Sequence, residues 1–155
     1  MIRQVCSRIG VRGLVGAGWS RFAGESDDQV FVAGDFNHDA VLPRCLAAVH
    51  HGGAGTTATS LRAGAPTIVC SVFVDQPLWA WRMKALGVGE GFPFQALSAD
   101  KLIAALQRAL QPEVRAQVRA VAARLEEEHG AVQSTEALLR LAGRAADPGR
   151  IRAAA

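Results

Sequence analysis

The octapeptide His50-His51-Gly52-Gly53-Ala54-Gly55-Thr56-Thr57 limits the fold of this chain more than any other segment. An apolar run, Leu46 to Val49, leads into it, and a stretch of helical character, Thr56 to Ala63, leads out and stops at Gly64. Glycines at three of the four positions 52–55 break a strand, and the hydroxyls of Thr56 and Thr57 follow where a helix begins. A strand that turns through glycine into a helix is the opening half of a β-α-β unit. The closing half follows: Pro66 opens a second apolar run, Thr67 to Phe73, β-branched and apolar enough to be buried on both faces. The turn also has a chemical meaning. Glycine lets the backbone approach a ligand closely. The first N–H groups of the helix have no partner within it, and the helix dipole presents its positive end there. Together these features suit an anion.

Length and composition narrow the partners. With 155 residues, 50% of them hydrophobic, the chain can build one domain with a core. The net charge of +3 rests on scattered arginines, without the basic patch of a nucleic-acid surface, so nucleic acid is excluded as a partner. Cys6, Cys45 and Cys70 are odd in number and form no C-x-x-C pair; they read as reduced, mostly buried thiols of a cytoplasmic protein. No segment approaches the roughly 18 apolar residues of a membrane span. The N-terminus has Arg3, Arg8 and Arg12 but no apolar stretch of a signal peptide.

Along the chain, strands and helices alternate. Met1 to Ile9 reads as a helix stopped by Gly10, and Val11 to Val15 as a strand closed by Gly16-Ala17-Gly18. Val30 to Ala33 is the second strand, Gly34 to Asp39 a loop, and Ala40 to Cys45 one helical turn. Leu46 to Val49 and Thr67 to Phe73 are the third and fourth strands. Pro77 to Ala85 is a helix with proline in its first turn and Gly87 at its stop; Val88 to Phe92 is a short edge strand. Ser98 caps a helix carrying Leu102, Ile103, Leu106 and Leu110. Pro112 opens another, with Val114, Val118, Val121 and Leu125 on one face, which Gly130 ends. A last helix carries Leu138, Leu139 and Leu141. This pattern predicts an α/β domain over residues 1–142, a parallel sheet with helices on both faces and ligands at the carboxyl ends of its strands. Residues 143–155 read as a flexible tail.

Several residues could carry chemistry. His50 and His51 end a strand, so their side chains point to opposite faces: one packed and one solvated, or one donating to a phosphate oxygen. They make a poor chelate, the cysteine spacing is wrong for zinc, and no metal site is expected. Gly52, Gly53 and Gly55 either form a plain tight turn or, with Thr56 and Thr57, hold an anion. The Walker lysine is absent, so this is no P-loop. Asp75 either caps the next helix or, with Gln76, holds vicinal sugar hydroxyls, since a carboxylate accepts and an amide both donates and accepts. Trp79 packs in the core or borders that sugar. Trp19, in the loop GAGWS, packs or flanks a base or ribose. A different ligand also fits the spacing. Gly53-x-Gly55-x-x-Ala58 with Asp75 downstream matches a dinucleotide fingerprint, so an NAD-binding oxidoreductase domain is one alternative and a non-catalytic nucleotide-binding module another. Against NAD, the fingerprint usually opens its fold, and here two strands precede it.

The run HHGGAGTTATSLRAGAPTIVCSVFVDQPLWAWRMKALGVG resembles the donor-binding domain of GT-B nucleotide-sugar glycosyltransferases, nearest to the sterol, glycopeptide and macrolide type of family 1. The likeness runs from about Val11 to Leu141 and includes GAGWS and the loop Asn37-His38-Asp39. It implies a Rossmann-like sheet that is the C-terminal half of a GT-B fold. It implies that His51, Gly53, Gly55, Thr56 and Thr57 hold a diphosphate, Asp75, Gln76 and Trp79 a sugar, and Trp19 and His38 a nucleoside. The donor would be a UDP- or dTDP-sugar, with no cofactor and no metal. The implied reaction is an inverting hexosyl transfer to a lipid, sterol or natural-product hydroxyl. Two positions depart from the family pattern: Asn37 stands where Pro is usual, and Thr59 where plant-type members carry a ribose-binding Glu. The acceptor and the catalytic base belong, by the same resemblance, to an N-terminal domain that this sequence lacks, together with the first strand and loop of the donor domain. No catalytic residue is therefore expected here, and the chain reads as a truncated half that is inactive alone.

Overall fold

The computed structural model describes residues 1–18 and 26–145. Helix α1 (Ile2–Ile9) ends at Gly10, whose φ of 70° is a left-handed cap and whose N–H returns to the Cys6 carbonyl. Two parallel strands follow, β1 (Gly13–Gly16) and β2 (Val30–Ala33). Then come α2 (His38–Val41) with a 3-10 turn at Leu42–Arg44, β3 (Ala48–His50), α3 (Ala54–Arg62) and β4 (Thr67–Ser71). Helix α4 (Gln76–Ala85), β5 (Gly89–Pro93), a 3-10 turn (Phe94–Ala96), α5 (Ala99–Ala109) and α6 (Pro112–Glu126) complete the order up to a second compact unit. The first unit spans Met1–Leu125 and the second begins at Glu126. Within the second, α7 (Gly130–Ala145) is a single helix with an Arg140–Glu136 ion pair one turn apart, and it runs through Gly143.

Every strand pairing among the described residues is parallel. The strands form two sheets, β1-β2 and β3-β4-β5. Strand β4 is the centre of the larger one, and all five of its residues are buried. Its pleat sends alternate side chains to opposite faces. Ile68 and Cys70 pack with Val5 of α1 and Leu102, Ile103 and Ala105 of α5. Val69 packs on the other face with Leu61 of α3, Ala80 and Met83 of α4, and Val118 of α6. Helices therefore cover both faces, and each large apolar side chain so buried stabilises by about 1.5–3 kcal/mol. A Cβ at Gly91 would run into the Ala80 backbone, so glycine in β5 is what lets α4 lie so close. Cys6 and Cys70 are buried and Cys45 half-buried, all three as free thiols.

Several boundaries differ from the sequence expectation for local reasons. β1 starts at Gly13 and not at Val11, because the Val11 N–H still bonds back to Cys6, and only at Gly13 does an N–H reach across to Gln29. Asn37 caps α2, accepting from the N–H groups of Asp39 at 2.9 Å and Ala40 at 3.3 Å, so the helix opens at His38 inside what reads as loop. Helix α3 starts at Ala54, two residues early, with Gly53 as its N-cap. Gly130 opens α7 and does not end α6, which stops at Glu126. The sheet is in two pieces: the free edges of β1 and β3 line a common cleft of about 1560 Å³, floored by Val5 and Leu102.

Candidate functional site

The cleft just described is not where the candidate residues converge; among the described residues, none of the candidates lines it. The described candidates follow the carboxyl ends of the parallel strands, where open α/β sheets bind ligands. The turn after β3 and the loop after β4 meet there. Gly52 has φ 94°, and a Cβ on it would lie 2.5 Å from Val69 Cγ1 and 3.4 Å from the backbone and Cβ of Gln76. Glycine is therefore required twice, for the torsion and for the space. This packing joins the glycine turn to the Asp75-Gln76 pair.

Gly53 is the N-cap of α3 and no side chain bonds to that end of the helix. The first helical N–H with a partner is that of Thr57, bonded to the Gly53 carbonyl. The N–H groups of Ala54, Gly55 and Thr56 precede it and have no partner within the helix. The first turn contains no acidic residue, so the positive end of the dipole is not neutralised by the helix itself. The exposed His51 ring lies over this point: a Cβ on Gly53 would sit 2.8 Å from His51 Nε2. Gly55 faces open space, and a Cβ there would meet nothing. No internal packing explains that glycine, whereas close approach of a ligand would. Thr56 is half-buried beside it. Thr57 is turned away: it is fully buried and its hydroxyl donates to the Gly53 carbonyl at 2.9 Å.

The two histidines divide as the alternation of a strand dictates, with rings edge-on and centroids 6.4 Å apart. His50 is the packed one. Its Nδ1 accepts the Gly52 N–H at 2.9 Å, while its buried Nε2 has no partner among the described residues. Burial, then the neighbouring His51 and His38, pull its pKa down to about 4, so it is neutral at pH 7.

After β4 the chain turns through Val74, which has φ 57° although β-branched and is 82% exposed. Such a torsion costs a non-glycine residue on the order of 1–3 kcal/mol. Gln76 holds this loop from beneath. It is buried, and its Oε1 accepts from the N–H groups of Val72 at 2.8 Å and Phe73 at 3.2 Å. Asp75 sits at the N-cap position of α4 but makes no side-chain cap bond. Its exposed carboxylate instead accepts the Trp79 indole N–H at 2.9 Å. The i, i+4 spacing of Asp75 and Trp79 was the sequence signal for that contact. His38, at the end of the loop after β2, is exposed and packs on Phe36 with ring centroids 4.8 Å apart, and Phe36 in turn lies against Gly16 at the end of β1. Trp19 lies outside the described residues. Of the sequence readings, one packed histidine and a tight turn at Gly52 describe what the structure shows for His50 and Gly52, whereas the bond from the Gly52 N–H to His50 Nδ1 was not among them.

Among the described residues no group of three or more His, Cys, Asp or Glu could hold a metal ion, and no helix is long and apolar enough to cross a membrane.

Comparison with known proteins gives this arrangement a family. The family model described as "Erythromycin biosynthesis protein CIII-like, C-terminal domain" matches residues 25–140. An uncharacterized glycosyltransferase of Mycobacterium bovis is 42% identical over 147 residues, 94% of this chain and 36% of that protein. Sterol 3-beta-glucosyltransferase UGT80B1 of Arabidopsis thaliana is 42% identical over 133 residues, 83% of this chain and 22% of its own length. Among solved structures, the kitacinnamycin glycosyltransferase matches with a TM-score of 0.74 and 26% identity, over 83% of this chain and 34% of that one. Glycosyltransferase VinC, solved in complex with dTDP, matches with a TM-score of 0.80 over 92% of this chain and 37% of its own; at 24% identity that likeness speaks for the fold alone. The chain spans at most 37% of the length of any of these four proteins. None of them favours the NAD-binding alternative. The chain belongs to the erythromycin biosynthesis protein CIII-like C-terminal domain family, and its fold is the Rossmann-like C-terminal half of a GT-B glycosyltransferase.

Proposed function

We propose that this chain is the donor-binding half of a glycosyltransferase that moves a hexosyl group from a UDP- or dTDP-sugar to a hydroxyl of a lipid, sterol or natural-product acceptor. One observation carries the reading: the packing of Gly52 on Gln76 brings the free N-terminus of α3 and the Asp75-Gln76 pair to a single point. A nucleoside diphosphate sugar needs two such subsites side by side. The diphosphate would lie against the N–H groups at Gly53, Gly55 and Thr56, with His51 donating from above and Thr57 bracing the Gly53 carbonyl from behind. The sugar would meet the exposed Asp75 carboxylate, oriented by Trp79, and the amide end of Gln76. His38 and Trp19 would flank the nucleoside.

The reaction in this reading is inverting and independent of metal. A base outside this chain takes the proton of the acceptor hydroxyl, the hydroxyl oxygen attacks the anomeric carbon, and the bond to the diphosphate breaks. The growing charge on the diphosphate oxygens is met by donors already in place at the turn.

Calorimetric titration with UDP, dTDP, UDP-glucose and NADH tests the proposal. The expected result is that a nucleoside diphosphate binds more tightly than NADH. Asp75→Asn is expected to weaken UDP-glucose while leaving UDP nearly unchanged. Tighter binding of NADH, or equal loss of both ligands in Asp75→Asn, would overturn it.

A further inference from the structure

We propose that His50 is a positioning residue for the anion site, its imidazole Nδ1 holding the Gly52 N–H and thereby fixing the turn that aims the N-terminus of α3 and the His51 ring at one point. The inference rests on the donor-binding reading for its ligand and on geometry for its mechanism.

Gly52 is buried between Val69 and Gln76, which restricts the access of water to its N–H. A buried N–H requires an acceptor, and the one present is His50 Nδ1, at 2.9 Å. Because Nδ1 accepts, the ring proton must be on Nε2. That atom is buried with no partner among the described residues. The ring thus leaves its single N–H donor unsatisfied while serving the turn. A side chain chosen only to fill space between β3 and its neighbours would not need a nitrogen at Nδ1.

The bond has a consequence for the residues that follow. The Gly52 peptide is the hinge between β3 and α3. If it rotates, the plane of Gly53 rotates with it, and Gly53 is both the N-cap of α3 and the surface beneath the His51 ring. Loss of one hydrogen bond on the far side of the turn would therefore blur the ligand side. Protonation of Nδ1 would replace the acceptor with a donor facing a donor. The titratable groups acting on His50 are His51 and His38, both of which oppose its protonation, and burial opposes it more. The ring is thereby kept in the state that can accept.

The test compares the full 155-residue chain with His50→Asn and His50→Leu. Asparagine presents an Oδ1 that accepts from the N–H two residues on, as in an Asx turn, whereas leucine presents no acceptor. Three measurements are made: amide exchange at Gly52 by NMR without ligand, the tautomer of the His50 ring from its 15N shifts, and UDP affinity by calorimetry. The expected pattern is an Nε2–H tautomer that does not titrate between pH 5.5 and pH 8 in the unmodified chain, with the bounds about those of the ordinary histidine range. Gly52 should be protected in the unmodified chain and in His50→Asn, and should exchange at least about tenfold faster in His50→Leu. UDP affinity should fall about fivefold to tenfold in His50→Leu and stay within about twofold in His50→Asn. A protected Gly52 in His50→Leu, an equal loss in His50→Asn, or an Nδ1–H tautomer would overturn the proposal. If the unmodified chain binds no UDP, the donor-binding reading fails, while exchange and tautomer still decide whether His50 holds the turn. If His50→Leu does not fold, the tautomer and the Asn variant decide it.

Discussion

The histidine pair illustrates how adjacent residues acquire opposite duties. His51 is exposed over the N-cap of α3, and His50 is packed beneath the same turn. If His51 donates to a phosphate, His51→Ala removes a charge-assisted hydrogen bond worth about 1.5–3 kcal/mol, and UDP affinity should fall about tenfold to a hundredfold with the melting temperature little changed. Unchanged affinity in calorimetry would contradict the role. His50 makes a separate prediction about pH. Its pKa is lowered in the folded chain to about 4, from 6.5. Between those values the unfolded chain binds a proton that the folded chain refuses, so stability rises with pH across that window and is lost as pH falls through it. The loss across the whole window is on the order of 3 kcal/mol from this residue. Urea unfolding at pH 7 and pH 5 should show part of this loss in the unmodified chain and less of it in His50→Asn. The Cys70 thiol shows the same burial acting with the opposite sign on charge: it is pushed up to about 11, which makes it a poor nucleophile at neutral pH.

At the scale of elements, the glycine turn separates two kinds of glycine. Gly52 is needed by the fold, because its torsion is left-handed and a methyl group would strike Val69. Gly55 is not, because its methyl group would enter open space in the first turn of a helix. Gly52→Ala should therefore destabilise by at least about 2 kcal/mol. Gly55→Ala should be neutral or stabilise by up to about 1 kcal/mol, yet weaken UDP several-fold by blocking the approach of the phosphate. Thermal melts and calorimetry on the two variants check this pair of outcomes. A Gly55→Ala protein that binds UDP as well as before would remove the argument for close approach. The loop after β4 follows the same logic. Gln76 ties down Val72 and Phe73, and Val74 carries the strained torsion, so Asp75 is presented to solvent from a fixed frame.

For the whole molecule, the candidate groups among the described residues follow the carboxyl ends of β2, β3 and β4, and each has been proposed to meet the donor. Transfer requires an acceptor held against the anomeric carbon, and orientation of two reactants can be worth on the order of 7–11 kcal/mol. None of the candidate groups has been proposed to hold an acceptor. The purified 155-residue chain is therefore expected to bind nucleotide but to transfer no sugar to sterol, lipid or aglycone acceptors. Product detected by mass spectrometry in such an assay would refute that expectation. Addition of an acceptor-binding half, linked or separate, should restore turnover.

The sequence by itself determined what depends on near neighbours along the chain. The alternation of strand and helix, the stops at Gly10 and Gly87, the Ser98 cap and the burial of β4 on both faces all follow from periodicity, torsional preference and capping chemistry. The glycine turn into the start of α3 follows in the same way, since small residues and the unpaired first N–H groups of a helix are local properties. Tertiary structure decided which way side chains are committed. The Thr57 hydroxyl and Gln76 Oε1 are bonded to the backbone, Asp75 takes Trp79 in place of a cap, and one histidine of two is turned inward. Each of these depends on what lies across the turn or under the loop. Gly52 meets Val69 and Gln76 only after β3 and β4 have paired, and no reading of one segment alone contains that contact.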